Sequence, residues 1–263
     1  MARLRGQVAL VTGASSGIGK AIAFALAAEG ADVAVVARRG ELLRKVADGI
    51  REQESGALAF LADITDPAAV DAAFEAVIGR FGHLDILVNN AGGNVPRRSL
   101  AEVTVESWRA VVDLNLTGAF LCTRAGLRIM RSQGRGTIIN IASWAGRRPA
   151  VLSGPAYSAA KAGLIVLNQS INLEERRHGI RACVILPGEV DTPIMETRLH
   201  PPLPAARATM LQPEDVAAAV VFVTTLPHRA TVEEVVIQPT VLRNQAEDWL
   251  AVRSTAATKA DSV

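Results

Sequence analysis

The 263-residue sequence predicts a doubly wound α/β fold, one domain built on a parallel sheet of about seven strands with helices on both faces. Three observations predict it. Short, nearly all-apolar runs rich in β-branched residues recur along the chain, helical patterns separate them, and a glycine-rich turn joins the first run to the first helix. The runs fall at 8–12, 32–37, 57–61, 86–89, 137–141, 181–186 and 234–238. A strand with one wet face alternates polar and apolar residues; these are apolar on both faces, as expected where helices cover each side. The helical patterns lie near 18–29, 41–54, 67–81, 107–133, 156–177 and 213–226. Asp66-Pro67 and Gln212-Pro213 read as helix starts, because proline at the first helical position gives up an N–H that has no partner there anyway. Strands alternating with helices imply right-handed crossovers, and so parallel neighbours.

Composition sets the remaining bounds. Hydrophobic residues at 49% and charged residues at 21% fit a globular chain with a sizeable core. No repeat or linker divides it, so residues 1–253 read as one domain, followed by a flexible, small and polar tail at 254–263. The 28 basic and 26 acidic residues leave a net charge of +2 with no basic run, which argues against a nucleic-acid partner. The apolar stretch at 8–11 is too short for a signal-peptide core, and no run approaches the ~18 residues that span a bilayer. A cytoplasmic location with no membrane partner is therefore expected. Cys122 and Cys183 fall in a helix and a buried strand, as reduced core residues would. His83, His178, His200 and His228 lie far apart, without the spacing of metal ligands, and no metal is expected.

The first run leads into Thr12-Gly13-Ala14-Ser15-Ser16-Gly17-Ile18-Gly19. Glycines at 13, 17 and 19 permit a tight turn and let backbone approach a pyrophosphate at the positive end of the next helix. Gly13, Ser15, Ser16, Gly17, Ile18 and Gly19 are thus candidate cofactor contacts. The spacing is G-x-x-x-G-x-G rather than G-x-G-x-x-G, and glycines also cap turns for structural reasons; the position between strand and helix is what gives the motif weight. In NAD sites of this architecture a carboxylate about 20 residues on binds the ribose hydroxyls. Here the second run ends Val36-Ala37 without one, and Arg38-Arg39 follow. A guanidinium grips a 2′-phosphate that a carboxylate would repel, so NADP(H) is preferred over NAD(H).

The chain has one tyrosine, Tyr157, and four lysines, of which Lys161 stands four residues after it. On a helix that spacing stacks the two on one face, about 6 Å apart along the axis. A neighbouring ammonium lowers a phenol pKa that starts near 10, which suits a general acid and base for carbonyl–alcohol interconversion. The plain alternative is a half-buried tyrosine beside an exposed lysine.

These motifs, together with Asn89-Asn90-Ala91-Gly92, Asn115, Ser143 and Pro187-Gly188-x-Val190-x-Thr192, resemble those of the classical short-chain dehydrogenase/reductases over nearly the whole chain. The resemblance implies a Rossmann fold and an oxidoreductase acting on CH–OH groups. It makes Tyr157 the acid/base and gives Lys161 the nicotinamide ribose and the lowering of the tyrosine pKa. Ser143 would bond the substrate oxygen, and Asn115 would hold a water in a proton relay. Asn89, Ala91 and Gly92 would line the adenosine side, and Asp63, with Ile64 beside it, would meet the adenine. Pro187, Gly188, Val190 and Thr192 would face the nicotinamide. Independently of the resemblance, Gly13, Asp63, Asn89, Ser143 and Pro187 each end or follow a different strand. All fall at the carboxyl edge of the sheet, where open α/β folds bind ligands. Taken alone, Ser143 also fits an ordinary turn serine, and Asn115 an ordinary polar helix residue.

The substrate, a small carbonyl compound or alcohol, is set by loops 93–98, 144–151 and 194–210. Arg147-Arg148 read either as a solvated pair or as a contact for an anionic tail. The proline-rich segment 194–210 is expected to be a lid that covers the substrate with Met195, Leu199 and Leu203. The helical stretches 107–133 and 156–177 are apolar on more than one face, as at Ala119, Leu121, Ile165 and Leu167, which points to a homo-oligomer, a tetramer or else a dimer. A catalytically silent dinucleotide-binding regulator or scaffold is the alternative to an enzyme, but the Tyr/Lys/Ser set is intact.

Overall fold

In the computed structural model, which describes residues 2–199 and 201–242, the apolar runs become strands: β1 (Val8–Thr12), β2 (Asp32–Ala37), β3 (Ala57–Leu61), β4 (Ile86–Asn89), β5 (Gly136–Ile141), β6 (Ile180–Pro187) and β7 (Glu234–Ile237). The tail expected at 254–263 lies outside the described residues. All strands pair in parallel, in the order β3-β2-β1-β4-β5-β6-β7. The helices are α1 (Gly17–Ala28), α2 (Gly40–Arg51), α3 (Pro67–Phe81), α4 (Val105–Val112), α5 (Gly118–Gln133), α6 (Pro155–Glu175), α7 (Pro204–Arg207) and α8 (Pro213–Thr224).

Side-chain alternation on the strands divides the core into two layers. Ala9 and Val11 of β1 pack with Ile22, Leu26, Leu43 and Val216, from α1, α2 and α8. Val8 and Leu10 face the other way, onto Val70, Phe74, Leu121 and Ile171, from α3, α5 and α6. Each such side chain removed from water contributes about 1.5–3 kcal/mol, which is why strands apolar on both faces settle in the middle of three layers. The helix starts follow the local chemistry. Asp66 accepts from Ala68 N at 2.9 Å ahead of Pro67, and Gln212 and Asp215 form a reciprocal cap around Pro213. Among the described residues no helix is long and apolar enough to cross a membrane.

The helix expected over 107–133 is interrupted. A π-helical turn, Asp113–Thr117, separates α4 from α5. Apolar residues continue through it at Leu114 and Leu116, so the period conceals the extra residue. The residues offered above for a subunit interface also need correction. Ala119, Leu121 and Ile165 are buried in the protomer's own core, and Leu167 packs against it. The large apolar side chains these stretches expose include Trp108, Phe120, Val166 and Leu173.

Candidate active site

The strand order reverses between β1 and β4, and above their carboxyl ends opens a cleft of about 930 Å³. Of the site residues singled out from the sequence, all but Asn89 and Asn115 line it. The floor is the glycine-rich turn. Gly13 has φ +66°, and a Cβ there would stand 2.7 Å from Ala91 Cα, so only glycine lets β1 and β4 approach this closely. Ser16 then stands at the N-cap of α1, and the helix's first residues, Gly17, Ile18 and Gly19, line the cleft floor. Asn90, which sequence reasoning did not select, fixes this turn: Nδ2 donates to Thr12 O at 2.9 Å, and Thr12 Oγ1 accepts from the amides of Asn90 and Ala91. A bare cradle at a helix N-terminus fits a pyrophosphate.

At the end of β2 the two arginines take different partners. Arg38 reaches Asp63 at 3.4 Å and is otherwise largely exposed. Asp63 accepts from Thr65 N at 3.0 Å, and these contacts hold its carboxyl below the usual range. Arg39 donates to Ser15 Oγ at 2.9 and 3.1 Å and also to Ser16 Oγ, which draws its guanidinium over the glycine-rich turn. Of the two arginines, Arg39 is therefore the one held against the turn.

The opposite half of the cleft is built by the first turns of α6. Gly154 (φ +69°) and Pro155 start the helix, bringing Tyr157 into the cleft and Lys161 beneath it. Lys161 Nζ lies 5.5 Å from the Tyr157 ring centroid and donates to Ile141 O at 2.8 Å, at the end of β5. Ser143, just beyond that strand, hydrogen-bonds Tyr157. Burial raises the tyrosine pKa; the Ser143 bond, then Arg198 and Arg98, act against the rise. Burial also pulls Lys161 down to about 8. Lys161 is itself desolvated and tied to a carbonyl, with its ammonium close to the phenol ring.

The two exceptions are placed behind the cleft wall. Asn89 donates to Thr123 Oγ1 at 3.0 Å and Asn140 Oδ1 at 2.9 Å, in a buried network that Asn140 continues to Asn168. Its position at a strand end was legible, but not that its side chain turns inward. Asn115, in the π-helical turn, donates to Gly93 O and Val111 O, each at 2.8 Å, and accepts from Gly93 N at 3.3 Å. It braces the loop that carries Gly92, where a Cβ would stand 3.4 Å from Lys161 Nζ.

The segment 194–210 is more tethered than its prolines suggest. A 3-10 helix (Pro193–Thr197) and α7 lie within or beside it, Val190 bridges Leu211, and Arg207 pairs with Asp191 at 3.2 Å and with Glu196. Met195 and Met210 line the cleft, whereas Leu199 and Leu203 point to solvent and do not. Arg147 pairs with Glu234 outside the cleft, and Arg148 lines its rim. Arg98 and Arg198 enter the same half; each was invisible as a site residue because its neighbours are about a hundred residues away in sequence or in a loop of no fixed pattern.

A family model described as short chain dehydrogenase matches residues 7–202. The chain is 40% identical over 239 residues to a 3-oxoacyl-[acyl-carrier-protein] reductase of Synechocystis sp., covering 88% of this chain and 94% of the relative. It is also 40% identical over 226 residues to a cis-4-hydroxycyclohexanecarboxylate dehydrogenase of Sinomonas cyclohexanicum, with 82% and 88% covered. A metagenomic short-chain oxidoreductase solved in complex with NADP superposes with a TM-score of 0.79 at 34% identity, over 91% of this chain and 100% of that one.

Proposed function

Because the chain belongs to the short-chain dehydrogenase family of oxidoreductases, we propose that it interconverts a carbonyl and a secondary alcohol by NADP(H)-dependent hydride transfer, with Tyr157 as general acid and base. The observation that carries this reading is the meeting of Ser143, Tyr157 and Lys161 opposite a glycine cradle in one cleft. The names of both curated relatives describe chemistry at an oxo or hydroxyl carbon, and the similar solved structure is titled as an NADP complex.

Gly13 to Gly19 would hold the pyrophosphate, Arg38 and Arg39 the 2′-phosphate, Asp63 and Ile64 the adenine, Ala91 and Gly92 the adenosine side, and Lys161 the nicotinamide ribose. Pro187, Gly188, Val190 and Thr192 would face the nicotinamide. When bound, the cofactor supplies or accepts the hydride. The protein's own work is to orient and to move a proton. Ser143 positions the substrate oxygen beside the Tyr157 hydroxyl, which donates its proton to the developing alkoxide in reduction and takes it back in oxidation. Asn115 would hold a relay water, and 194–210 would close over the substrate through Met195 and Met210. A cytoplasmic homo-oligomer completes the reading.

The test is consumption of NADPH over a panel of ketones, quinones and 3-oxoacyl esters. Turnover of at least one class is expected. NADPH that binds but is never consumed would mark the chain as the silent regulator instead.

A further inference from the structure

Arg98 sits in the loop after β4 and projects into the substrate half of the cleft. It is partly buried, and its guanidinium donates only to backbone carbonyls: Leu152 O at 3.2 Å, Thr197 O at 3.2 Å and Pro96 O at 3.4 Å. Those are long bonds for a charged donor, and two of its five N–H groups remain unassigned. Two other arginines of the cleft are answered by acid, Arg38 by Asp63 and Arg198 by Glu189 at 2.9 Å, and Arg39 is held by the hydroxyls of Ser15 and Ser16. Among the described residues Arg98 has no carboxylate partner. It also faces a second cation, since burial and Arg198 both lower its pKa while Tyr157 raises it. Among the described residues lining this half of the cleft, Arg98, Arg148 and Arg198 outnumber the one carboxylate, Glu189, which leaves positive charge in excess beside the Tyr157 hydroxyl.

A guanidinium drawn partly out of water gains from an anionic partner, and among the described residues Arg98 has none. The cofactor's phosphates do not meet this need, because the proposed function assigns them to the glycine-rich turn, Arg38 and Arg39. A planar carboxylate matches the guanidinium fork and gains most where water is excluded. We propose, resting on the carbonyl–alcohol reading above, that the substrate carries a carboxylate and that Arg98 binds it, making the protein a dehydrogenase of hydroxy and oxo acids. Arg148 at the rim and Arg198 beside Glu189 support the same charge.

The competing role for Arg98 is a staple that ties loop 93–98 to the segments at 152 and 197. The ratio of acid to methyl ester separates the two. A panel of short and ring-based oxo acids, each paired with its methyl ester, is assayed with NADPH. The native protein is expected to favour acids by about tenfold or more in kcat/KM, as befits a charge-assisted pair. Arg98→Gln is expected to bring the ratio near one, and Arg98→Lys to give a value between. Arg147→Gln, which alters a pair outside the cleft, should leave the ratio as it was. A native ratio near one across the panel, or a ratio undiminished in Arg98→Gln because acid and ester fall alike, overturns the proposal. If no ketone is consumed, the oxidoreductase reading fails by itself. The same acids and esters, titrated calorimetrically into native and Arg98→Gln protein with NADP+ present, then decide the anion site by the same ratio.

Discussion

Tyr157 and Lys161 are each held closer to neutrality than in water, one by a raised pKa and the other by a lowered one. A raised tyrosine pKa keeps the phenol protonated at neutral pH, which favours donation to a carbonyl and disfavours the phenolate that oxidation needs. A lysine pKa near 8 means the ammonium is present below that pH and lost as pH rises through it. Carbonyl reduction is therefore expected to hold level from about pH 6 to pH 7.5 and to decline through about pH 8, while alcohol oxidation climbs with pH. Initial rates in both directions test this; reduction that stays level well beyond the lysine pKa would show that its charge is not used. The pair was legible in the sequence because i, i+4 on a helix is a local relation. The electrostatic partners of the tyrosine were not, since Arg98 and Arg198 meet it only through tertiary contact.

At the scale of elements, strand positions followed from the doubly apolar pattern almost to the residue, and proline starts located α3 and α8. What a pattern conceals is an added residue within an unbroken apolar period, and the π-helical turn at Asp113–Thr117 is such a case. Asn115→Ala removes the amide that satisfies Gly93 O and Val111 O, and an unpaired buried carbonyl costs about 1–3 kcal/mol. A drop of several degrees in Tm is expected, with reduced turnover, because the braced loop carries Gly92 against Lys161. An unchanged melting temperature would show that the brace is dispensable. Leu199 and Leu203 teach a related lesson: apolar residues in a proline-rich loop carry no period, so nothing local says which way they point. At the end of β2, the proposed preference for NADP(H) rests on both arginines, and Arg39 is held over the turn by Ser15 and Ser16. Arg38→Ala and Arg39→Ala should each narrow the preference for NADPH over NADH, and the double replacement should remove most of it. Fluorescence titration with both cofactors measures this, and equal affinity in the native protein contradicts it.

Across the whole molecule, the parallel sheet gathers the carboxyl ends of all seven strands around one cleft, so residues spread from Gly13 to Thr192 meet there. That convergence follows from topology and was legible once the strands were placed. The outer surface was harder to read, since apolar residues on a long helix serve core and interface alike. Phe120, Val166 and Leu173 are 45%, 59% and 84% exposed, and the proposed homo-oligomer would cover them with a second copy. Light scattering at micromolar concentration is expected to give a dimer or tetramer, and a monomer would refute that. The central claim, that this cleft transfers a proton through Tyr157 while a dinucleotide carries the hydride, is tested most directly by one variant. Turnover of NADPH with an accepted ketone, and the affinity for NADPH, are measured on the native chain and on Tyr157→Phe, which removes a hydroxyl and keeps the ring. The account predicts that turnover falls at least about a hundredfold while cofactor affinity changes by less than about threefold. Near-normal turnover by Tyr157→Phe across the pH range would contradict it.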